Sequence, residues 1–265
     1  MLIPAKPEHY ERLKPLLEAD AVRALFILGD IETHGLQCAF QETWVDHDEH
    51  GDHALVLRYH DSLVWYLFDE LKDEDGLMRL IDDPRVSSTG CTLAHFQALS
   101  PALQARLKTR VTTLCHCPNL RPGNYTASRA IAEDATAILI SMDTIEEFTA
   151  EIHEPFELRC TRFQNNLAQE NSIVHIVKAN DQVLAAASST AHARLGAMIV
   201  GVFTLAEHRH QGHARNVVGS LIQTLLAQGR TPVLFFDNPH AGALYRDLGF
   251  LELDQWVMGS PVKRL

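Results

Sequence analysis

The segment Val202-Phe203-Thr204-Leu205-Ala206-Glu207-His208-Arg209-His210-Gln211-Gly212-His213-Ala214-Arg215 carries the most specific chemistry in this sequence. An apolar strand runs into a short loop, and Gly212 opens an amphipathic helix. The first N–H groups of such a helix have no partner inside it and point into the loop. The helix dipole adds partial positive charge at the same end. A phosphate is the natural guest of that arrangement. Gly212 admits a bulky ligand to the backbone, Ala214 keeps the first turn small, and Arg209 and Arg215 add positive charge to an acidic chain.

Two common phosphate loops do not match. The chain has no G-x-x-x-x-G-K-[ST] motif, and no G-x-G-x-x-G follows a strand. The segment Arg209-His210-Gln211-Gly212-His213-Ala214 instead resembles the R/Q-x-x-G-x-G/A pyrophosphate loop of the GNAT acetyltransferase superfamily. Downstream, Asn238-Pro239-His240-Ala241-Gly242-Ala243-Leu244-Tyr245-Arg246-Asp247-Leu248-Gly249-Phe250 resembles its second signature, N-x-x-A-x-x-L-Y-x-x-L-G-F. Two short motifs in this order, with strand–loop–helix–strand between them, make a far stronger signal than either alone. VFTLAEHR followed by TPVLFFDN looks most like the branch related to glycine N-acyltransferases. The resemblance runs over residues 125 to 260. Ala206 stands where the family commonly has Pro, Ala214 replaces the last Gly, and His210 and His213 are unusual. None of these changes removes a backbone donor.

The resemblance implies an acyl-CoA-dependent N-acyltransferase, with acetyl-CoA as cosubstrate and a small-molecule amine as acceptor. The amine attacks the thioester directly in a ternary complex. Main-chain groups of Val202, Phe203 and Thr204 would pair with pantetheine as with an added strand. The N–H groups of His210, Gln211, Gly212, His213, Ala214 and Arg215 would hold the pyrophosphate. Asn238 would touch the pantetheine or substrate side, and Tyr245 would protonate the departing thiolate. Many relatives carry a Glu on the strand before the loop as base, but Gly196 to Leu205 contains no acid. Glu207, Asp237 and His192 remain open as candidates. The missing strand acid keeps a second reading alive, an acyl-CoA-binding sensor or scaffold without turnover. Taken as bare residues, Tyr245 can also be a core ring, and Asn238 a turn residue before Pro239.

The elements that must position these residues read as an α/β layout. Two helical patterns come first, Tyr10, Leu13, Leu16, Leu17 and then Val22, Leu25, Phe26, Leu28, the latter closing near Gly29. Strands follow over HALVLRYH and SLVWYLFD with His60-Asp61 at the turn, then a helix over 75–81 and a helical region over 101–114. The breakers of Pro118 to Asn124 place a boundary, giving domains 1–123 and 124–265. The second part reads as helices over 134–148 and 156–169, then strands SIVHIVKAN, QVLAAASST and GAMIVGVFTL. A helix over 212–228, strand TPVLFFD, a helix over 240–248 and a strand from Phe250 complete it. The expected fold is thus a mixed-sheet GNAT-like C-terminal domain behind an N-terminal one. By element order the latter can be a degenerate copy that shapes the acceptor side. It has no R-x-x-G-x-A loop, so no cofactor is assigned to it.

The 265 residues suit two domains, and 46% apolar content supports a sizeable core. A net charge of −11 and a pI near 5.7 argue against nucleic acid as a partner. No apolar run approaches membrane-spanning length, and the N-terminus lacks a leader pattern. The odd set Cys38, Cys91, Cys115, Cys117 and Cys160 suits a reduced, cytoplasmic protein. His47, His50 and His53 invite a metal reading, but Gly51-Asp52 is turn chemistry and a solvated hairpin tip is favoured. Cys115-His116-Cys117 lacks the second pair of a structural zinc site. No metal is therefore expected.

Overall fold

A computed structural model describes residues 1–149 and 154–262. The first half runs β1 (Leu2–Pro4), α1 (Pro7–Ala19), α2 (Leu25–His34), β2 (Gln37–Cys38), β3 (Gln41–Asp48), β4 (Gly51–Tyr59) and β5 (Ser62–Leu67). It continues with α3 (Glu74–Ile81), β6 (Ser88–Thr92), α4 (Leu93–Gln97), α5 (Pro101–Gln104) and β7 (Leu107–His116). The second half runs β8 (Ser128–Arg129), α6 (Ala135–Met142), α7 (Glu146–Thr149), α8 (Phe156–Ala168), β9 (Val174–Ala179), β10 (Gln182–Thr190) and β11 (Gly196–Thr204). It ends with α9 (His213–Ala227), β12 (Thr231–Phe236), α10 (Pro239–Leu248) and β13 (Leu251–Pro261).

All strands join one 13-stranded sheet in the order β1-β3-β4-β5-β6-β13-β7-β12-β11-β10-β9-β8, with β2 beside β3. Counting outward from the central β13–β7 pair, the two sides match strand for strand. The parallel pairs β5–β6 and β11–β12 stand at equivalent places. Each half also lends its last strand to the other. β7, from the first half, pairs with β12 and β13, while β13 pairs with β6 and β7. This is a duplicated fold whose halves are stitched by strand exchange. It agrees with the mixed α/β class and with a second, degenerate copy ahead of the C-terminal domain. Pro118–Asn124 carries no helix or strand and follows the exchanged β7.

The exchange has a measurable consequence. Residues 1–123 and 124–265 produced separately should each lack the strand that closes their sheet, leaving a long unpaired edge in mid-sheet. We expect neither piece to show cooperative urea unfolding alone, and co-expression to restore it. A cooperatively folded, monomeric 124–265 piece would refute this.

Several expectations are corrected. The helical region over 101–114 is a single turn, α5, followed by strand β7. Thr109, Val111, Thr112 and Thr113 favour extended backbone, and partners more than a hundred residues away stabilise it. α2 does not close near Gly29 but continues to His34; a Cβ at position 29 would sit 3.2 Å from the Ala191 backbone, so glycine lets α2 pack close. The helix over 134–148 is broken, because Asp143, Thr144 and Ile145 leave the helix between α6 and α7. Strands β3 and β6 were not expected. In β3, polar residues that propensity disfavours are held by specific bonds: buried Asp46 accepts from the Met1 ammonium at 2.8 Å.

The helix that carries the loop folds as its pattern demands. Val217, Val218, Leu221, Ile222 and Leu225 of α9 are fully buried against Ala185, Ala187, Ala197 and Ile199 of the sheet. No described helix is long and apolar enough to cross a membrane.

Candidate functional site

β11 and β12 pair only over Gly196–Met198 and Thr231–Val233. Beyond that point β12 turns to β7, and β11 keeps only β10. The sheet therefore opens as a V, and the inner edge of β11 is free. A bulge sharpens the opening. Between Ala186↔Phe203 and Ser188↔Val200 the register shifts, so Gly201 and Val202 lie opposite Ala187 alone, with Gly201 at φ +59°. Side chains alternate across β12. Leu234 and Phe236 face α9 and α10, while Phe235 faces α2.

The loop at the open end of the V has the backbone of an anion cradle. His210 and Gly212 both adopt left-handed φ, +62° and +82°. Such alternation turns successive N–H groups into one concavity. None of the N–H groups from His210 to Arg215 donates a hydrogen bond among the described residues; the helical ladder begins with Asn216 N–H to the Gly212 carbonyl, 3.0 Å. A non-glycine residue in this region costs energy, and such strain concentrates where a ligand is gripped.

A cleft of about 470 Å³ unites these parts. It gathers Val202, Phe203, Thr204, His210, Gly212, His213, Ala214, Arg215 and Tyr245. Gln211 and Asn238 fall outside its lining. Gln211 is exposed and leans its amide toward the Glu207 carbonyl at 3.4 Å. Asn238 is the cap of α10, its Oδ1 accepting from His240 N–H at 2.9 Å, which matches the turn reading of that residue. The Thr204 hydroxyl is buried at the cleft wall without a partner among the described residues, an orphan that a ligand amide can satisfy. Arg209 Nε bonds the Thr204 carbonyl at 3.3 Å, so this carbonyl already has one donor. Arg215 turns its guanidinium to Asp247 and over the Tyr125 ring at 5.9 Å; its backbone N–H, not its head group, faces the cradle.

Tyr245 is buried, with its ring against Phe236 and Phe250 at 6.0 and 5.7 Å. Its hydroxyl makes no hydrogen bond among the described residues, and burial, with a smaller contribution from Cys115, pushes its pKa up to about 12. The core reading and the chemical reading both hold for this residue: the ring packs, and the residue lines the cleft.

None of the three base candidates lines the cleft. Glu207 is exposed in the turn after β11. Asp237 pairs with Arg110 at 3.3 Å just past β12. His192 sits in a different cavity, bonded to Ser189 Oγ at 2.8 Å, and burial drives its pKa down to about 4, so it is a weak base. One acid not expected from the sequence, Glu147 of α7, does line the cleft, along with Ile145 and Phe148. No local signal marks Glu147, because only the packing of α7 over the V brings it there.

The equivalent place in the first half is already filled. After β5 the chain enters α3, whose cap Asp73 accepts from Gly76 N–H at 2.8 Å and from Leu2 N–H at 2.8 Å. A carboxylate occupies the helix start, and Glu74 and Asp75 follow it. That end repels phosphate. At the hairpin tip, His47 bonds Asp52 at 2.7 Å and His53 bonds Asp48 at 2.8 Å; no group of three or more ligating side chains is arranged for a metal among the described residues.

Residues 128–258 match the family described as GNAT acetyltransferase. Among solved structures, a GCN5-related N-acetyltransferase from Sphaerobacter thermophilus is 14% identical, with TM-score 0.64, over 100% of this chain and 97% of that one. A GNAT-family acetyltransferase from Colwellia psychrerythraea is 16% identical, with TM-score 0.59, over 99% of each chain. A tandem GNAT protein from the clavulanic acid biosynthesis pathway is 15% identical, with TM-score 0.54, over 99% of each. At such identity these likenesses speak to the fold. No curated protein matches the chain. The chain therefore has the GNAT acetyltransferase fold, and its duplicated sheet has a tandem counterpart; nothing in these matches singles out the glycine N-acyltransferase branch.

Proposed function

We propose that this chain is an acyl-CoA-dependent N-acyltransferase, moving an acetyl group from coenzyme A to a small-molecule amine. The observation that carries the reading is the free N–H cradle of His210 to Arg215 at the end of an unpaired strand edge. The donor set fits the cofactor: a chain of amide groups to pair along β11, and a pyrophosphate to fill the cradle. Bound there, acetyl-CoA supplies an activated thioester to an amine nucleophile.

The residues then divide the work. The cradle fixes the phosphate end, and Val202 to Thr204 align the chain along β11, which replaces lost entropy with fixed geometry. N–H groups of β11 at the Gly201–Val202 bulge, where the strand leaves its regular register, serve as donors for charge developing on the carbonyl oxygen. Tyr245 stays protonated through neutral pH and presents its O–H to the departing sulfur. Full transfer to a thiolate of ordinary pKa, roughly 8.5, is uphill for this phenol, so hydrogen-bond donation is the better description of its role. Among acids, Glu147 lies nearest by lining to receive the ammonium proton, directly or through water. The N-terminal domain, 1–123, binds no cofactor in this reading and shapes the acceptor side.

The experiment is calorimetric titration with acetyl-CoA, followed by assay of thiol release over a broad amine panel. Binding together with turnover of an amine is the expected result. Binding without turnover of any amine favours an acyl-CoA sensor, the reading that the acid-free β11 keeps open. No binding ends both.

A further inference from the structure

The α2 face of the sheet carries two joined cavities outside the cofactor cleft, of about 550 and 370 Å³. Both are walled by Phe26, Ser62 and Val64. The larger reaches Phe235 of β12, just past the point where the V opens. The smaller ends on Asp30, His34, Tyr59, Asn166 and His192. Phe26 links them, since its ring stacks on Phe235 at 6.0 Å. Asp30 follows Phe26 by four residues in α2 and therefore lies one turn farther along the same helix face.

The Asp30 carboxylate forms no ion pair and no hydrogen bond among the described residues, whereas Thr33 and His192 in the same cavity are bonded, to the Gly29 carbonyl and to Ser189 Oγ. Among the described residues no Lys or Arg lines the smaller cavity around Asp30; the larger one carries Lys108 and Arg110, the latter paired with Asp237 at 3.3 Å. His34 on the same helix is held below its ordinary pKa by burial and by the nearby His60, and His192 from the β10–β11 turn is neutral for the reason given above. Tyr59 of β4 contributes a ring and a phenol that burial and Asp30 keep protonated. A carboxylate beside aromatic rings is a receptor for an organic ammonium group.

We propose that the cavity around Asp30 is an acceptor subsite for a second cationic group, so that the favoured substrates are diamines or other amines with a distal ammonium. The proposal rests on the acyltransferase reading for the position of the reacting end, beside Phe235. The N-terminal half then sets acceptor specificity through α2, which explains retention of a copy that cannot take the cofactor. Burial without a counter-charge raises the Asp30 pKa to about 7, the condition of a site waiting for a cation. Of the groups facing it from the surrounding elements, burial holds His34 and His192 below the ordinary imidazole pKa and keeps the Tyr59 phenol protonated, so none of these three supplies positive charge at neutral pH.

The test compares 1,6-diaminohexane with hexylamine as acceptors for acetyl-CoA, in the wild type and in Asp30→Asn, at pH 8. The wild type should show at least a tenfold higher kcat/KM for the diamine. Asp30→Asn should erase that preference while leaving hexylamine turnover within twofold. A second arm needs no turnover: calorimetry of 1,6-diaminohexane with each protein, expected to weaken at least tenfold in the variant. In the wild type the affinity should rise from pH 6 to pH 8 as the carboxyl ionises, with a flat profile in the variant. Equal use of both amines, or a preference or affinity that survives Asp30→Asn, overturns the proposal. Failure of acetyl-CoA to bind would instead strike the acyltransferase reading, and the diamine calorimetry would still decide this one.

Discussion

Gly212→Glu should lower acetyl-CoA affinity by at least about 100-fold in a protein that remains folded. Two effects act at this position. Gly212 has φ +82°, which costs an ordinary side chain roughly 1–2 kcal/mol. That strain is a stability effect and should appear in urea unfolding. The affinity loss has another source: a carboxylate placed at the cradle occupies the space of a phosphate and repels it. Each charge-assisted hydrogen bond is worth about 1.5–3 kcal/mol, so losing two or more exceeds the roughly 2.8 kcal/mol of a 100-fold change. Gly212→Asn separates the effects, because Asn tolerates left-handed backbone and brings no charge. It should retain most of the affinity. Calorimetry on both variants reads the difference. Undiminished binding in a folded Gly212→Glu protein would remove the loop from the site and with it the proposed function.

Tyr245→Phe should bind acetyl-CoA as the wild type does and lose about 10²-fold in turnover number. The substitution keeps the ring, which touches Phe236 and Phe250, and removes only a hydroxyl that has no partner among the described residues. Stability should therefore hold or rise slightly, since no buried hydrogen bond is broken. A fixed donor aimed at developing charge in a dry site is worth about 10² to 10³ in rate. Because the phenol is pushed up to about 12, the wild-type pH–rate profile should show no decline from Tyr245 ionisation below pH 11. The readouts are single-turnover rates with an amine in excess, where chemistry limits, and the calorimetric affinity. An unchanged rate would leave Tyr245 as a core residue alone.

The site was more legible than the frame around it. α9 announced itself because its apolar stripe, its preceding strand and its glycine start lie within about thirty consecutive residues. The same holds for Asn238 to Gly249, where Pro at the first helical position and Gly at the C-cap bracket α10. β7 was misread because its apolar residues are compatible with a helix, and the groups that make it a strand, on β12 and β13, are remote in sequence. Propensity is a weak prior that distant pairing overrides. β3 escaped for a related reason: its buried Asp46 accepts from the Met1 ammonium and from the N–H of Lys72, at 2.8 and 2.5 Å, contacts that no local pattern foretells.

What the sequence determined by itself is the local chemistry: a strand, a glycine-opened helix and a tyrosine on the following helix, each encoded by neighbours along the chain. What the tertiary structure decided is which backbone groups are left over. Whether an N–H is free depends on every strand and turn that might have taken it, and that accounting is non-local. Only the folded chain shows that His210 joins Gly212 in left-handed backbone, that β11 parts from β12 after Met198, and that Asp73 fills the matching helix start in the first half. Asp30 belongs to the same class. In sequence it is one acid on an apolar helix; in the fold it is a carboxylate without a counter-charge among the described residues, because α2 packs between two halves joined by exchanged strands.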